Sequence, residues 1–376
     1  MSAIDVRLLA PPSSTSGNYL ASTHASFERV PSLDGLRAVS ILLVLMSHYV
    51  DGRLFPGGLG VLVFFVVSGF LIARLMLAEQ KNTGHVSLLN FYLRRFFRLY
   101  PVVTIYTAVV ILFCFYIGHP LDLCEPASAL FYFANYVYAW SPTACHAGAT
   151  AMPFGIFWSL SVEEHFYLFF PLLFVLARGR RLASWMTAIC IGCLALRLLF
   201  AQLHPEWLKS HFFYFTDVRL DSIAFGVLLA AICEKADARR MIATLEHPLA
   251  VMAAVITVLL CLMIRNDWFR ETLRYTLLGA AIAVIVAAIV FSQRYAPAQA
   301  VLNWAVMRWI GMLSYSIYVW HSLLPLLLHR FAPALPQSAV VPADFALTLA
   351  VAALSYFSIE RPASTLRHHF GSRTAT

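Results

Sequence analysis

Long apolar runs separated by short polar breaks dominate the chain. A membrane span needs about 20 mostly apolar residues. Ten stretches approach that length, at roughly 34–50, 57–78, 98–118, 157–177, 183–201, 212–233, 248–265, 275–292, 309–329 and 343–360. The pattern predicts an all-α polytopic membrane protein with about ten transmembrane helices. The stretch "ALFYFANYVYAW" (129–140) is shorter and aromatic, and reads as interfacial, re-entrant or an extra span. The first thirty residues are polar, with the cluster "PPSSTSGN" and no basic region leading into an apolar core. No cleavable signal peptide is expected there. The expected organisation is a disordered cytoplasmic tail over 1–30, a transmembrane domain over 31–362 and a cytoplasmic tail over 363–376.

Composition agrees with this pattern. The chain is 60% hydrophobic and 12% charged, against roughly 25% charged in soluble proteins, and its mean hydropathy is +0.74. The net charge of +8 therefore does not point to nucleic acid. In a membrane protein, basic residues collect on the cytoplasmic side and set orientation. With the N-terminus inside, nineteen of the 27 Lys and Arg residues fall on cytoplasmic segments and six outside, leaving Arg197 and Arg219 within spans. That asymmetry predicts both termini in the cytoplasm. Of the seven cysteines, Cys124 and Cys145 share one outer loop. That compartment permits disulfides, and a bridge and two free thiols both remain open. Cys190 and Cys193 lie in an apolar helix, where packing is expected rather than redox chemistry.

Ionisable groups inside spans are costly and mark candidate sites. In "LDGLRAVSILLVLMSHY" (33–49), Arg37 and His48 are eleven residues apart. At 1.5 Å per residue this is about 16 Å and three turns. Arg37 is expected at the cytoplasmic face and His48 near mid-membrane, both pointing the same way. A cation at the mouth and a titratable imidazole at depth suit a long anionic substrate threaded inward, and histidine is well placed to act as a base near neutral pH. Asp34 is expected to cap the helix. In "LRRFFRLYP" (93–101), Arg95 and Arg98 share one helix face, an arrangement that suits phosphate recognition as well as simple anchoring. In "FWSLSVEEHFYLFFP" (157–171), Glu163 and Glu164 are expected to divide, one facing a cavity and one a partner helix or the interface. Such a carboxylate suits orienting a histidine, binding a substrate hydroxyl or pairing with Arg219. "DVRLDSIAFG" (217–226) carries Asp217, Arg219 and Asp221, either self-paired or facing the acceptor side. His321 in "SYSIYVWHS" reads equally as a packing, network or catalytic residue. Ser68 and Gly69 in "VFFVVSGFL" are expected to allow close helix packing, in preference to a covalent serine. No metal ligand set is expected.

Together these stretches, with "GGLGVLVFFVVSGFLI", "RLDSIAFG" and the terminal "SIERP", resemble the acyltransferase-3 family of bacterial membrane-bound O-acyltransferases, from Leu33 to Pro362. The family's Arg–ten residues–His motif falls on Arg37 and His48. Its Arg-x-x-Arg motif falls on Arg95 and Arg98, and its glutamate on Glu163, with Glu164 the more variable neighbour. The resemblance implies ten spans in the bacterial inner membrane and acyl-CoA, commonly acetyl-CoA, as a cytoplasmic donor substrate rather than a resident cofactor. It implies a hydroxyl acceptor on a cell-envelope carbohydrate such as lipopolysaccharide O-antigen or exopolysaccharide, free or lipid-linked. Some relatives acylate macrolides or other small metabolites, and some carry an added soluble esterase-like domain, which is not expected here. Under this resemblance His48 is the general base with Glu163 as its catalytic partner, and Arg37, Arg95 and Arg98 hold the donor; by their own chemistry Glu164, Arg219, Asp221, His321 and Ser68 are expected to support the site or face the acceptor. Direct transfer and an acyl-enzyme route through His48 or Ser68 both stay open. Midplane charges on ten spans also suit a different class, a secondary transporter or lipid-linked glycan flippase.

Overall fold

Apolar runs of this length leave helices as the economical way to satisfy the backbone in lipid, and the described residues contain helices and no strands. The structure, a computed structural model, describes residues 32–118, 123–140, 153–177, 181–209, 212–235 and 237–370. The expected N-terminal tail and Cys145 lie outside them. The helices in chain order are α1 Leu33–Tyr49, α2 Gly57–Thr83, α3 Leu88–Ile117, α4 Cys124–Leu130, α5 Ala134–Trp140, α6 Phe157–Ala177, α7 Leu182–Leu203, α8 Leu220–Cys233, α9 Ala238–Leu245, α10 Pro248–Met263, α11 Asp267–Glu271, α12 Leu273–Phe291, α13 Ala296–Leu302, α14 Ala305–Trp320, α15 Leu323–Phe331, α16 Gln337–Ser355 and α17 Arg361–Phe370.

Each of the ten expected stretches falls on a helix, but their lengths differ. Among the described residues, six helices are long and apolar enough to cross a membrane. The number rises to eight if α9 with α10, bent by 54°, and α14 with α15, bent by 65°, each form one broken span. The α1 helix has 17 residues and α8 has 14, so at 1.5 Å per residue both fall short of a hydrocarbon core of about 30 Å. The aromatic stretch at 129–140 is divided between α4 and α5 and is not a continuous span.

The exposed faces fit a lipid environment. On α10 only Ala254 and Cys261 are buried, while Leu249, Met252, Ile256, Leu259 and Met263 are exposed. Their three-to-four-residue spacing forms one outward apolar stripe, as expected of a helix facing lipid. The chain is thus a multi-pass membrane protein.

Close backbone approach holds the centre together. The α2 helix packs against α8, and α1 against both α2 and α14. A Cβ added at Gly69 would lie 2.1 Å from the Ile223 carbonyl oxygen, and one at Gly226 would lie 1.9 Å from that of Val66. The two glycines therefore let α2 and α8 touch along their backbones, the usual route to tight helix packing in membranes. Gly226→Val must push the helices apart. Overpacking of this kind costs about 1–3 kcal/mol, so the purified variant should melt at a lower temperature than the parent in the same detergent. An unchanged melting temperature would mean that the contact is loose. The expectation that Ser68 shares this packing role is corrected by the structure: Gly69 meets α8, while Ser68 faces inward.

Candidate active site

An elongated cavity of about 280 Å³ lies between α1, α2, α3, α6 and α14. The α2 wall runs from Val61 to Leu75 and is mainly apolar, with Phe64, Phe65, Val67 and Leu71 along it. From the first to the last of these fifteen residues the helix rises about 21 Å. At one end, turns in the N-terminal halves of α1 and α3 bring Arg37, Arg95 and Arg98 to the lining. These turns are basic because the polar breaks between apolar runs are basic, as positive-inside anchoring requires. Hydroxyls also reach the lining, from Ser68, Ser159, Ser314, Tyr315 and Tyr318. A volume just below the roughly 300–1,000 Å³ of drug-sized pockets suits a narrow chain rather than a bulky nucleotide.

Glu163 is the carboxylate that reaches this cavity. Its Oε1 accepts hydrogen bonds from the Ser68 hydroxyl and the Tyr167 hydroxyl. The Arg95 guanidinium sits 3.9 Å above the centre of the Tyr167 ring, a cation–π contact that fixes both groups. Glu163 is therefore held between a hydroxyl pair and a cationic end. Glu164, the next residue, turns away from the cavity lining, and its Oε1 is buried without a hydrogen-bond partner. The expected division of the two carboxylates is observed. The pairing considered with Arg219 is not.

Arg219 occupies a different setting. It is buried, with its guanidinium 3.8 Å from the centre of the Tyr275 ring and within 6 Å of the Trp158 and Phe213 ring centres. Asp221 does not pair with it either. The Asp221 carboxylate accepts from Arg197 Nη2 at 2.6 Å, both side chains fully buried, and from the Thr276 hydroxyl at 2.8 Å. Self-pairing within "DVRLD" fails because Arg219 and Asp221 leave the backbone in different directions at the first turn of α8, and α7 places Arg197 against Asp221. Neither residue lines the cavity.

Asp34 does not cap α1. The N-cap is Ser32, without a side-chain cap. Asp34 lies in the first turn and meets Arg37 at 3.9 Å, which steadies the guanidinium at the cavity. Cys124 is disulfide-bonded, and Cys190 and Cys193 are buried free thiols.

His48 does not share the cavity with Arg37. It belongs to the last turn of α1, is exposed, and does not line the cavity. His48 is the sixteenth of the 17 residues of α1, at the end of the helix where the next residue but one, Val50, is exposed as well. The enclosed histidine is His321, fully buried at the break between α14 and α15. His48 Nδ1 and His321 Nε2 are 2.7 Å apart, and the rings are tilted by 18°. His321 Nδ1 lies 2.6 Å from the Tyr318 carbonyl oxygen. Tyr318 thus belongs to both places: its backbone holds His321, while its ring lines the cavity and its hydroxyl bonds Ser159 at 2.5 Å.

Sequence reasoning missed three contributors. Glu360 is buried and accepts from the Ser316 hydroxyl at 2.8 Å, and it lies in electrostatic reach of Arg37 and Arg98. Its signal was available: an acid closing an apolar run, in a π-turn at Tyr356–Glu360, a local geometry frequent at functional sites. Tyr167 and Tyr318 carried none, being two of sixteen tyrosines in an aromatic-rich chain. No group of three or more His, Cys, Asp or Glu residues among those described is arranged to hold a metal.

Fold and site define a multi-pass helical membrane protein whose buried cavity is cationic at one end and lined by hydroxyls and a carboxylate within. The chain belongs to the acyltransferase-3 family, whose sequence model, described as an acyltransferase domain, matches residues 30–359. It is 29% identical over 355 residues to a Staphylococcus aureus (strain COL) protein named "Putative O-acetyltransferase SACOL0978". It is 28% identical over 349 residues to the O-acetyltransferase OatA of S. aureus strain NCTC 8325. Each match covers 89% of this chain and 57% of the relative. The chain thus spans a little over half the length of the curated relatives it matches. No solved structure matches it.

Proposed function

We propose that the protein moves an acyl group, acetyl in the simplest case, from acyl-CoA to a hydroxyl of a cell-envelope carbohydrate. The observation that carries this reading is the cavity, with three arginines at one end and an apolar, hydroxyl-lined shaft. Coenzyme A pairs phosphates with a slender arm ending in the thioester. Arg37, Arg95 and Arg98 hold the phosphates through charge-assisted bonds, and the shaft receives the arm, which extends past Tyr318 so that its thioester meets the acceptor beside His48, outside the cavity. Family membership and relatives named O-acetyltransferases favour transfer to oxygen. Lipopolysaccharide O-antigen and exopolysaccharide are the acceptors of choice.

The chemistry balances without a further reagent. His48 removes the proton of the acceptor hydroxyl as its oxygen attacks the thioester carbonyl. The new C–O bond forms, the C–S bond breaks, and the departing CoA thiolate takes the proton back from His48. Glu163, held by Ser68 and Tyr167, carries the acceptor-side polarity into the shaft. In this reading α1 and α8 join the eight longer spans to give ten in the bacterial inner membrane, with both termini and the arginine end of the cavity cytoplasmic and residues 31–362 forming the transferase domain.

Detergent-purified protein given acetyl-CoA and a carbohydrate acceptor should release CoA and form an O-acetyl ester detectable by mass spectrometry. Movement of a glycan across proteoliposomes without CoA release would instead support a transporter.

A further inference from the structure

We propose that His321 is a positioning residue that fixes His48 as the tautomer with an unprotonated, outward Nε2. This inference rests on the acyl-transfer reading above and adds to it a residue that need not touch substrate.

The argument follows donors and acceptors along the chain. A backbone carbonyl only accepts hydrogen bonds. The Tyr318 carbonyl, 2.6 Å from His321 Nδ1, therefore requires the proton of His321 on Nδ1. His321 is fully buried, and no carboxylate forms an ion pair with it among the described residues. A buried imidazolium without a partner costs several kcal/mol, so the ring is neutral and its Nε2 carries a lone pair. That lone pair faces His48 Nδ1 at 2.7 Å. His48 must donate, which places its own proton on Nδ1. Its Nε2 is then free, on an exposed ring, with the lone pair a general base needs.

The anchor of this relay is itself held. Tyr49, next to His48, donates its hydroxyl to the His321 carbonyl at 2.9 Å. Its single proton being spent there, Thr348 of α16 donates to Tyr49 at 2.7 Å. Helices α1, α14 and α16 thus converge on the break between α14 and α15. A broken helix frees backbone groups that must find other partners, and here one freed carbonyl, that of His321, is taken by Tyr49. When His48 accepts the acceptor's proton on Nε2, its Nδ1–H stays bonded to His321, which steadies the imidazolium. The logic is that of a catalytic histidine oriented by a neighbour, with a neutral, carbonyl-anchored imidazole in place of a carboxylate.

Two measurements test it. In ¹⁵N-histidine-labelled protein in nanodiscs, with the His48 signals assigned by their loss in His48→Ala, Nδ1 should be protonated and Nε2 unprotonated at neutral pH. A His48 ring protonated at Nε2, or an even mixture, overturns the proposal whether or not the protein transfers acyl groups. In the second arm, His321→Gln keeps an acceptor for His48 and a donor for Tyr318, whereas His321→Leu keeps neither. Transfer should fall on the order of 10²-fold or more in His321→Leu, within the range of a misoriented general base, and by no more than about 10-fold in His321→Gln, with acetyl-CoA affinity unchanged in both. Equal losses in the two variants overturn the relay. If His321→Leu does not fold, the tautomer measurement decides alone. A wild-type protein with the proposed tautomer but no CoA release would leave the relay standing and remove the acyl-transfer reading.

Discussion

His48→Ala should lower acyl transfer by roughly 10²–10⁴-fold, the contribution of a general base, while acetyl-CoA still binds. The separation is expected because His48 lies outside the cavity, at the far end of α1 from Arg37. The cationic end that holds the donor keeps all its residues in this variant. Exposure makes the substitution mild for the fold, since the ring fills no enclosed space. Single-turnover transfer beside equilibrium binding of acetyl-CoA separates the two effects. Near wild-type turnover in purified His48→Ala would remove His48 from the chemistry.

Arg95→Ala combined with Arg98→Ala should do the converse. Hydrogen bonds to charged groups contribute about 1.5–3 kcal/mol each, so losing both guanidiniums should weaken acetyl-CoA binding by roughly 10²–10⁴-fold. Saturating donor should restore much of the rate, because neither residue is asked to move a proton. Lysine should rescue poorly, since it keeps the charge but loses the planar fork that meets a phosphate at two points. Arg95 also rests on Tyr167, which in turn bonds Glu163. A melting curve of the double variant is therefore needed beside the titration. Unchanged affinity in a folded double variant would make the two arginines ordinary membrane anchors.

Much of this site was legible before the structure because its signals are local. Arg37, Arg95, Arg98 and Glu163 stand out as charges in or beside apolar runs, and the structure gathers all four around one cavity. Ser68 carries only its small size as a signal, and its partner Glu163 lies 95 residues away. Arg219 and Asp221, adjacent in one motif, invited a pairing that the fold does not make. Asp221 meets Arg197 instead, because the crossing of α7 and α8 decides which side chains share a buried space.

The sequence by itself determined that the chain crosses a membrane as helices and that its cations gather at the ends of apolar runs. Both follow from hydropathy, which each segment carries alone. Only the tertiary structure decided which helices are long enough to span, which carboxylate turns inward and which histidine is enclosed. His48 and His321 are 273 residues apart in the chain and 2.7 Å apart at their nitrogens. That meeting depends on glycines that let helices approach, as at Gly311 against the Asp34 backbone, and on the break that ends α14 at Trp320. Neither the angle of a helix crossing nor the partner found across it is written in the periodicity of a single helix.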